Sequence, residues 1–80
     1  MNYLGCEFKD ETITLTRPNE GVNIRDCVFD NCHFDIKKPS FLYLANNKYH
    51  NCTFNLDLTD CEGDIIIIND EVRSIIWTKH

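Results

Sequence analysis

The chain has 80 residues, of which 42% are hydrophobic, and its thirteen acidic and eight basic side chains give a formal net charge of −5. A chain of this length forms one domain with a thin core, which leaves little room for a deep catalytic cleft. The negative charge argues against direct binding of nucleic acid, because surfaces that bind phosphates are basic.

The N-terminal ten residues, MNYLGCEFKD, lack the basic start and the apolar run of a signal peptide. The longest aliphatic run, from Ile65 to Ile68, is far too short to span a membrane. Five cysteines would suit a disulfide framework in an exported miniprotein, but the number is odd and no export signal accompanies them. We therefore expect a cytoplasmic protein with reduced thiols and no membrane contact.

A period of five residues organises the centre of the chain. From residue 22 onward it divides without a gap into VNIRD, CVFDN, CHFDI, KKPSF, LYLAN, NKYHN and CTFNL. The third residue of each step is large and apolar or aromatic, except at Pro39, whereas the fourth and fifth are mostly polar. Neither the period of a helix nor that of a strand fits this pattern, which indicates a chain that turns a corner every five residues.

The same frame continues upstream as CEFKD, ETITL and TRPNE, with Gly21 as one inserted residue at a corner. If four steps make one turn, residues about twenty apart stack on the same side. The predicted columns are Phe8, Phe29 and Tyr49; Ile13, Phe34 and Phe54; Ile24 and Leu44; and Pro18 on Pro39. The cysteines at first positions are expected to pack inside as small hydrophobic residues, namely Cys6, Cys27, Cys32 and Cys52.

Four elements, CEF, CVF, CHF and CTF, share a small-x-Phe form at the spacing of the repeat. On these residues, the region from about residue 6 to residue 56 resembles the pentapeptide-repeat family. The resemblance implies an all-β fold, a short right-handed quadrilateral parallel β-helix, with the third residue of each step inside. The length predicts about 2.5 to 3 coils in a single domain over residues 1–80.

The five-residue frame decays after Phe54, so residues 57–68 are predicted to form an irregular last coil that ends in a buried strand, Ile65 to Ile68. Asn69 and Asp70 offer an N-cap for a helix. Residues 69–80 are therefore predicted to form a short amphipathic helix that covers the open end of the core. Trp77 is expected to seal that end or to contact a partner.

Metal binding and catalysis have little support in the sequence. Cys27 and Cys32 are a full repeat apart, whereas zinc ligands usually occur in closely spaced pairs, so we expect no metal and no cofactor. A catalytic group could be assembled from Cys61, His50 and Asp60, but nothing holds these residues together. We expect no enzyme activity, and a cysteine-dependent enzyme is the last of our alternatives.

Acidic residues dominate the C-terminal third of the chain. Six acids occur with no base between the first and the last of them: Asp57, Asp60, Glu62, Asp64, Asp70 and Glu71. Asp30 and Asp35 occupy outward positions of the repeat, so the acidic surface could continue along the coil. A basic spot of Arg17, Lys37 and Lys38 is expected beside the stacked prolines, opposite the acids. A solvated face that maintains solubility would also explain such a run.

Some pentapeptide-repeat proteins resemble B-DNA in size and charge and bind DNA gyrase. The resemblance therefore implies a non-enzymatic protein-binding inhibitor or mimic whose acidic surface blocks a nucleic-acid-handling protein such as a gyrase. By analogy with virus-encoded inhibitors, a nuclease, restriction enzyme or CRISPR effector is an equally compatible partner. The alternative is a structural or self-assembly module that forms a homodimer through the coil ends and the Trp77 helix. Three coils span only about 15 Å, so any mimicry would be of a short DNA segment.

Overall fold

The fold is given by a computed structural model that describes residues 1–72. Ten short strands follow one another: β1 (Asn2–Leu4), β2 (Glu7–Lys9), β3 (Thr12–Thr14), β4 (Val22–Arg25), β5 (Val28–Asp30), β6 (His33–Lys37), β7 (Leu42–Ala45), β8 (Lys48–His50), β9 (Thr53–Asp57) and β10 (Ile65–Ile68). Every pairing between them is parallel. The chain is a β-solenoid of about three turns.

The strands form three sheets on successive sides of the coil. The first sheet has the order β1-β4-β7-β10, the second β2-β5-β8 and the third β3-β6-β9. The remaining side, which we call the fourth side, consists of residues 15–21, 38–41 and 58–64 and has no strand. Backbone hydrogen bonds between successive coils satisfy peptide groups at the corners as well, for example from Asp10 N–H to Asp30 O at 3.0 Å.

The predicted columns are confirmed in all three sheets. In the second sheet Phe8, Phe29 and Tyr49 lie in register, with ring centroids 5.2 and 5.4 Å apart and nearly parallel planes. The third-sheet column is Ile13, Phe34 and Phe54. The two columns meet edge to face, as Phe29 and Phe34 do at 73°, which is a favourable arrangement for aromatic rings. Stacked and edge-to-face rings thus fill the core together.

The column of the first sheet is longer than predicted. Ile24 and Leu44 lie in register as expected, and Tyr3 and Ile67 extend their column at its two ends. The sequence frame missed Tyr3 because it began at Cys6, and it missed Ile67 because the five-residue spacing is lost after Phe54. The first sheet therefore contains one strand more than its neighbours.

A further inner row comes from the fifth position of the repeat, where polar residues were expected. Ile36 and Leu56 are buried and lie in register between β6 and β9. Leu15 packs against the same core from the first coil. Ile36 and Leu56 point inward because β6 and β9 are two residues longer than the strands of the second sheet, so that alternation brings the fifth residue to the inner face.

Asparagine and aspartate residues form most of the corners. Within residues 1–72, nine residues other than glycine have a left-handed backbone with φ between 51° and 59°: Asp10, Asn19, Asp26, Asn31, Lys38, Asn46, Asn51, Asp60 and Asn69. Asn and Asp tolerate this conformation better than other residues with a Cβ. Corner side chains also bond from coil to coil, as Asn31 Nδ2 donates to Asp10 Oδ1 at 2.7 Å. The polar ends of the steps therefore set the corners.

The predicted stack of Pro18 on Pro39 is wrong. Pro39 is fully buried, but Pro18 is exposed. In the first coil, residues 15–21 make a separate bend in which the Glu20 carboxylate accepts hydrogen bonds from the backbone N–H groups of Thr16 and Arg17. Leu15 rather than Pro18 contacts the core from this bend.

The last strand is confirmed, but it is not buried as predicted. Of the four isoleucines in β10, only Ile67 is buried, and Ile65, Ile66 and Ile68 are 39%, 38% and 49% exposed. Side chains alternate along a strand, so Ile66 and Ile68 point away from the core. Ile65 is on the inner row but lies in the last described coil, where no further coil covers it.

The predicted capping helix over residues 69–80 falls largely outside the described residues, and so does Trp77. Within residues 1–72 only Val72 is helical, so the described part of the chain gives no support for that cap. Asp70 Oδ1 accepts a hydrogen bond from Val72 N–H at 3.0 Å, the kind of contact that an N-cap residue makes. In the part of the chain described here, no helix has the length and hydrophobicity needed to cross a membrane.

Candidate protein-binding surfaces

The outward side chains of the first sheet form two rows across its four strands. Strand register places Asn2, Asn23, Tyr43 and Ile66 in one row and Leu4, Arg25, Ala45 and Ile68 in the other. We call these eight residues the first-sheet outer face. Their inward neighbours form the buried column, so alternation along each strand fixes the outward direction.

The first-sheet outer face is the most apolar exposed side within residues 1–72. Leu4 is 59% exposed, and Ile66 and Ile68 also present much of their side chains to solvent. The outward residues of the second sheet include one exposed apolar side chain, Val28, among Glu7, Lys9, Asp30, Lys48 and His50. Those of the third sheet are Thr12, Thr14, His33, Asp35, Thr53 and Asn55. Exposed apolar area is thus concentrated on one side of the solenoid.

A groove of about 530 Å³ opens on this face where it meets the fourth side. Its walls are Asn23, Arg25, Phe41, Leu42, Tyr43, Asp64 and Ile66. Phe41 is 41% exposed and lies between two glycines of the neighbouring coils. A Cβ at Gly21 would be 2.0 Å from Cε2 of the Phe41 ring, and one at Gly63 would be 2.9 Å from its Cβ. The two glycines therefore leave the space that Phe41 occupies.

Two side chains that line this groove each contain a polar atom with no hydrogen-bond partner within the described residues. The atoms are Oδ1 of Asn23 and Nε of Arg25, both shielded from solvent. The two side chains as a whole are only partly buried, and they project from the same strand two residues apart. A shielded polar atom without a partner costs free energy, so native structures contain few of them. Here both belong to side chains that line one groove.

The acidic residues predicted to form one surface are distributed over several sides. Asp60, Glu62 and Asp64 are exposed on the fourth side in the last coil. Asp57 precedes them and accepts hydrogen bonds from Thr59 Oγ1 at 2.7 Å and from Thr59 N–H at 3.1 Å. These bonds lower the pKa of the Asp57 carboxyl below its usual range. An acidic loop is present here, but it is confined to one coil.

The other predicted acids lie elsewhere. Asp30 is on the outer side of the second sheet and Asp35 on that of the third, while Glu71 is exposed beyond β10. Asp70 is not on the surface at all, since it is 9% exposed and its Oδ2 accepts hydrogen bonds from Asn47 Nδ2 at 2.8 Å and Tyr49 OH at 3.1 Å.

Asp70 belongs to a polar network at the end of the core. Asn47 occupies the first position of a repeat, above Cys27, and its Oδ1 accepts a hydrogen bond from Cys27 N–H at 2.9 Å. Burial, together with the neighbouring Asp70 carboxylate, raises the pKa of the Tyr49 hydroxyl well above its ordinary value. Tyr49 thus stays protonated and donates to Asp70, which ties the turn after β10 to the coil beneath it.

The basic residues adjoin the acids instead of lying opposite them. Arg17 and Lys37 line one shallow groove next to the third sheet. Lys37 is in register with Asp57, and its Nζ lies 4.0 Å from Asp35 Oδ1. Lys38 follows at the corner, and both lysines favour the ionised form of Asp57. The expected segregation of charge was wrong because the register of β6 and β9 brings the two signs together.

The residues considered for catalysis are not brought together. Cys61 lies on the fourth side, where its Sγ contacts Ser40 O and Gly63 O at 3.7 Å. His50 is in β8, on the second sheet, which is across the coil from the fourth side. All five cysteines are free, with Cys27 and Cys32 buried as predicted. In residues 1–72 no three His, Cys, Asp or Glu side chains are placed to hold a metal ion.

The first-sheet outer face was not predicted from the sequence, although the sequence contains a signal for it. Leu4, Tyr43, Ile66 and Ile68 are the outward neighbours of the inner column, but this shows only once the frame includes β1 and β10. Comparison of the chain with protein-family models, with curated proteins and with solved structures finds no match.

Proposed function

We propose that the chain is a protein-binding module that acts without catalysing a reaction, and that the first-sheet outer face is its contact surface. The observation that carries the proposal is the concentration of exposed apolar side chains on this face, with Leu4, Ile66 and Ile68 in two adjoining rows. Contiguous apolar patches on small proteins commonly mark interaction sites.

The composition of the face favours a protein partner over nucleic acid or a small molecule. Arg25 is its one charged residue, and the chain as a whole is acidic, so phosphate groups would find little attraction. Aromatic residues and arginine, here Phe41, Tyr43 and Arg25, are enriched in protein interfaces. The groove is open along the surface, which suits a chain segment or a flat surface.

We also propose that the solenoid is right-handed and belongs to the pentapeptide-repeat family. Support comes from the five-residue steps, the inward third residues and the buried cysteines at first positions. A short helix over residues 69–80 that covers the end of the core remains part of this proposal. A crystal structure would test both the hand of the coil and the cap.

The main proposal is tested with a double variant, Ile66→Lys with Ile68→Lys, that places two charges on the first-sheet outer face. Val28→Lys is the matched control, because Val28 is 40% exposed on the second sheet. We expect the tagged wild-type chain and the Val28 variant to capture the same partner from lysate, and the double variant to lose it. Capture that is equal for all three would overturn the proposal.

Self-assembly would appear in the same set of variants. Strand β10 is the edge of the first sheet within the described residues, and an unpaired edge offers hydrogen bonds to another chain. Light scattering after gel filtration would give the mass of each variant in solution. A homodimer that the double variant alone dissociates would identify a second copy as the partner and make the chain a self-assembly module.

A second candidate function is inhibition by nucleic-acid mimicry. It is favoured by the three exposed acids Asp60, Glu62 and Asp64, which follow one another on the last coil. A partner such as a gyrase, nuclease, restriction enzyme or CRISPR effector would be released by rising salt, because exposed charges are screened. A triple variant with lysine at these three positions should abolish such binding, whereas it should leave binding at the first-sheet outer face intact.

A further inference from the structure

We propose that the groove on the first-sheet outer face binds an extended apolar peptide segment of a partner protein, and that Asn23 and Arg25 hydrogen-bond to the backbone N–H and C=O of one residue of that segment. The proposal deepens the protein-binding function above and rests on it. It names the conformation and the chemistry of the occupant.

The two unpartnered atoms define what must fill the groove. Arg25 Nε carries a hydrogen and donates, whereas Asn23 Oδ1 accepts. One residue of an extended segment offers the complementary pair, since its N–H donates and its C=O accepts on the same edge of the segment. Asn23 and Arg25 project from the same side of β4 two residues apart, so one extended segment passes both.

Both atoms are shielded from solvent in the unbound chain, while the rest of each side chain is partly exposed. Binding therefore requires the two side chains to turn outward into the groove. The unpaired state favours this change, because a shielded polar group without a hydrogen-bond partner costs free energy. The bound segment then provides both missing hydrogen bonds.

The walls of the groove specify an uncharged, apolar segment. Phe41, Tyr43 and Ile66 supply apolar and aromatic surface, and the two charged residues, Arg25 and Asp64, have opposite signs. A strongly acidic or basic segment would meet one like charge and gain little. Alternate residues of an extended segment face the groove, so apolar side chains are expected at every second position.

An extended segment fits better than a helix for the same reason. Inside a helix the backbone N–H and C=O groups bond to each other and are not free for Asn23 and Arg25. An extended segment keeps those groups available on its edges. The unpartnered atoms thus select the conformation of the occupant as well as its polarity.

The test begins with selection of linear heptapeptides from a phage-displayed random library against the full chain. The selected peptides are synthesised, and their binding is mapped by two-dimensional ¹H–¹⁵N NMR. We expect alternating apolar residues, shifts at Asn23, Arg25, Tyr43 and Ile66, and an affinity that falls at least about tenfold in Arg25→Met. Lys48→Met, on the second sheet, is the control and should bind as the wild type does.

A chemical variant of the peptide tests the backbone contact directly. Replacement of each amide in turn by an ester removes one N–H and weakens one C=O acceptor. Replacement at two adjacent positions should lower the affinity for the wild type, and replacement at any position should leave the affinity for the Arg25→Met, Asn23→Leu double variant unchanged. If the double variant does not fold by circular dichroism, Arg25→Lys, which keeps the charge but not the Nε geometry, provides the same comparison.

Several results would overturn the inference. The selection could fail to give any binding peptide, or the NMR chemical-shift changes could map to another side of the solenoid. The peptide affinities could also be unchanged in the Arg25 variants. If no linear peptide binds but the Ile66 and Ile68 variants still lose a partner, the face contacts a folded surface, so the peptide proposal fails while the protein-binding function stands. A homodimer lost in the same variants would also overturn it, in favour of a second copy.

Discussion

The sheeted sides of the solenoid and its fourth side are held together in different ways. In the second and third sheets, equivalent positions of successive coils carry similar residues. The rings of Phe29 and Tyr49, for example, lie on adjacent coils and stack on each other. On the fourth side each coil is different: a Glu20 bend in the first, Phe41 in the second and a long acidic loop in the third. The five-residue repeat therefore determines the three sheeted sides, whereas the fourth side is held by contacts that each occur in one coil only.

This difference predicts where substitutions act. A change in a column affects coils above and below it, because each inner side chain contacts its neighbours in both directions. A change on the fourth side affects one contact between two coils. The following predictions compare the two regions, starting with the largest effect on the free energy of unfolding.

Phe29→Ala should have the largest effect. Phe29 is fully buried and contacts three rings, those of Phe8, Phe34 and Tyr49. Its removal should lower the free energy of unfolding by about 3–5 kcal/mol, a large fraction of the stability of a small domain. Urea denaturation followed by circular dichroism would measure the loss. Val28→Ala, on the outer side of the same strand, is the control and should change stability little.

Substitution of the buried Asn47 should lower the free energy of unfolding nearly as much. Asn47 replaces the cysteine found at the corresponding position one coil earlier, and it bonds to Cys27 N–H, Ile24 O and Asp70 Oδ2. Asn47→Ala leaves these buried groups unpaired and should cost about 3 kcal/mol in urea denaturation. Asn47→Cys should not restore stability, although it restores the repeat. The exposed Asn55→Ala is the control, and an equal loss there would contradict the role assigned to Asn47.

The contrast explains how much of the fold the sequence could predict. Inward residues such as Phe34 and Phe54 recur at a fixed period, so their columns could be derived from spacing alone. Pro18 and Pro39 also have the right spacing, yet only Pro39 is buried, because local hydrogen bonds to Glu20 decide the bend of the first coil. Contacts that occur once leave no period in the sequence.

The candidate site was harder to predict for a related reason. The outward residues Tyr43 and Ile66 are assigned to one row only by the pairing of β10 with β7, which spans 23 residues instead of twenty. The shielded atoms of Asn23 and Arg25 depend on side-chain conformations, which the sequence does not determine. The acidic residues, by contrast, are visible in the sequence. The prediction that they form one surface was wrong, because strand register and burial separate Asp57, Asp64 and Asp70.

The two glycines on the fourth side should differ in their tolerance of a side chain. A Cβ at Gly63 would lie 2.4 Å from the backbone oxygen of Ser40, which also accepts a hydrogen bond from Gly63 N–H, so the backbone must shift. A Cβ at Gly21 would meet the outer end of the Phe41 ring, which can rotate toward solvent. Gly63→Ala should therefore cost about 2 kcal/mol, and Gly21→Ala less, in urea denaturation.

A double variant separates this contact from backbone effects. Combining Gly21→Ala with Phe41→Ala removes the ring that the new Cβ would meet, so the combined loss should be smaller than the sum of the two single losses. Additive losses would show that the cost at Gly21 comes from its backbone and not from Phe41.

The smallest effect should be the pH dependence due to Glu20. Its pKa is lowered from 4.5 to about 2, first by the hydrogen bond from the ammonium group of Met1 and then by those from Thr16. Because the folded-state pKa is below the unfolded value, the ionised carboxylate stabilises the fold fully above about pH 4.5. That contribution is lost as the pH falls from 4.5 toward 2, and solvent screening keeps it small.

Urea midpoints measured from pH 6 to pH 2 would show this contribution as a slope. Glu20→Gln cannot ionise at this position, so it should be less stable than the wild type at pH 6, and the difference should shrink as the pH falls through that interval. Glu62→Gln removes an exposed carboxylate of the acidic loop and should keep the slope of the wild type. If the two variants gave the same curve, the bend at Glu20 would contribute no more than an ordinary surface charge, and the fourth side of the first coil would be held by Leu15 instead.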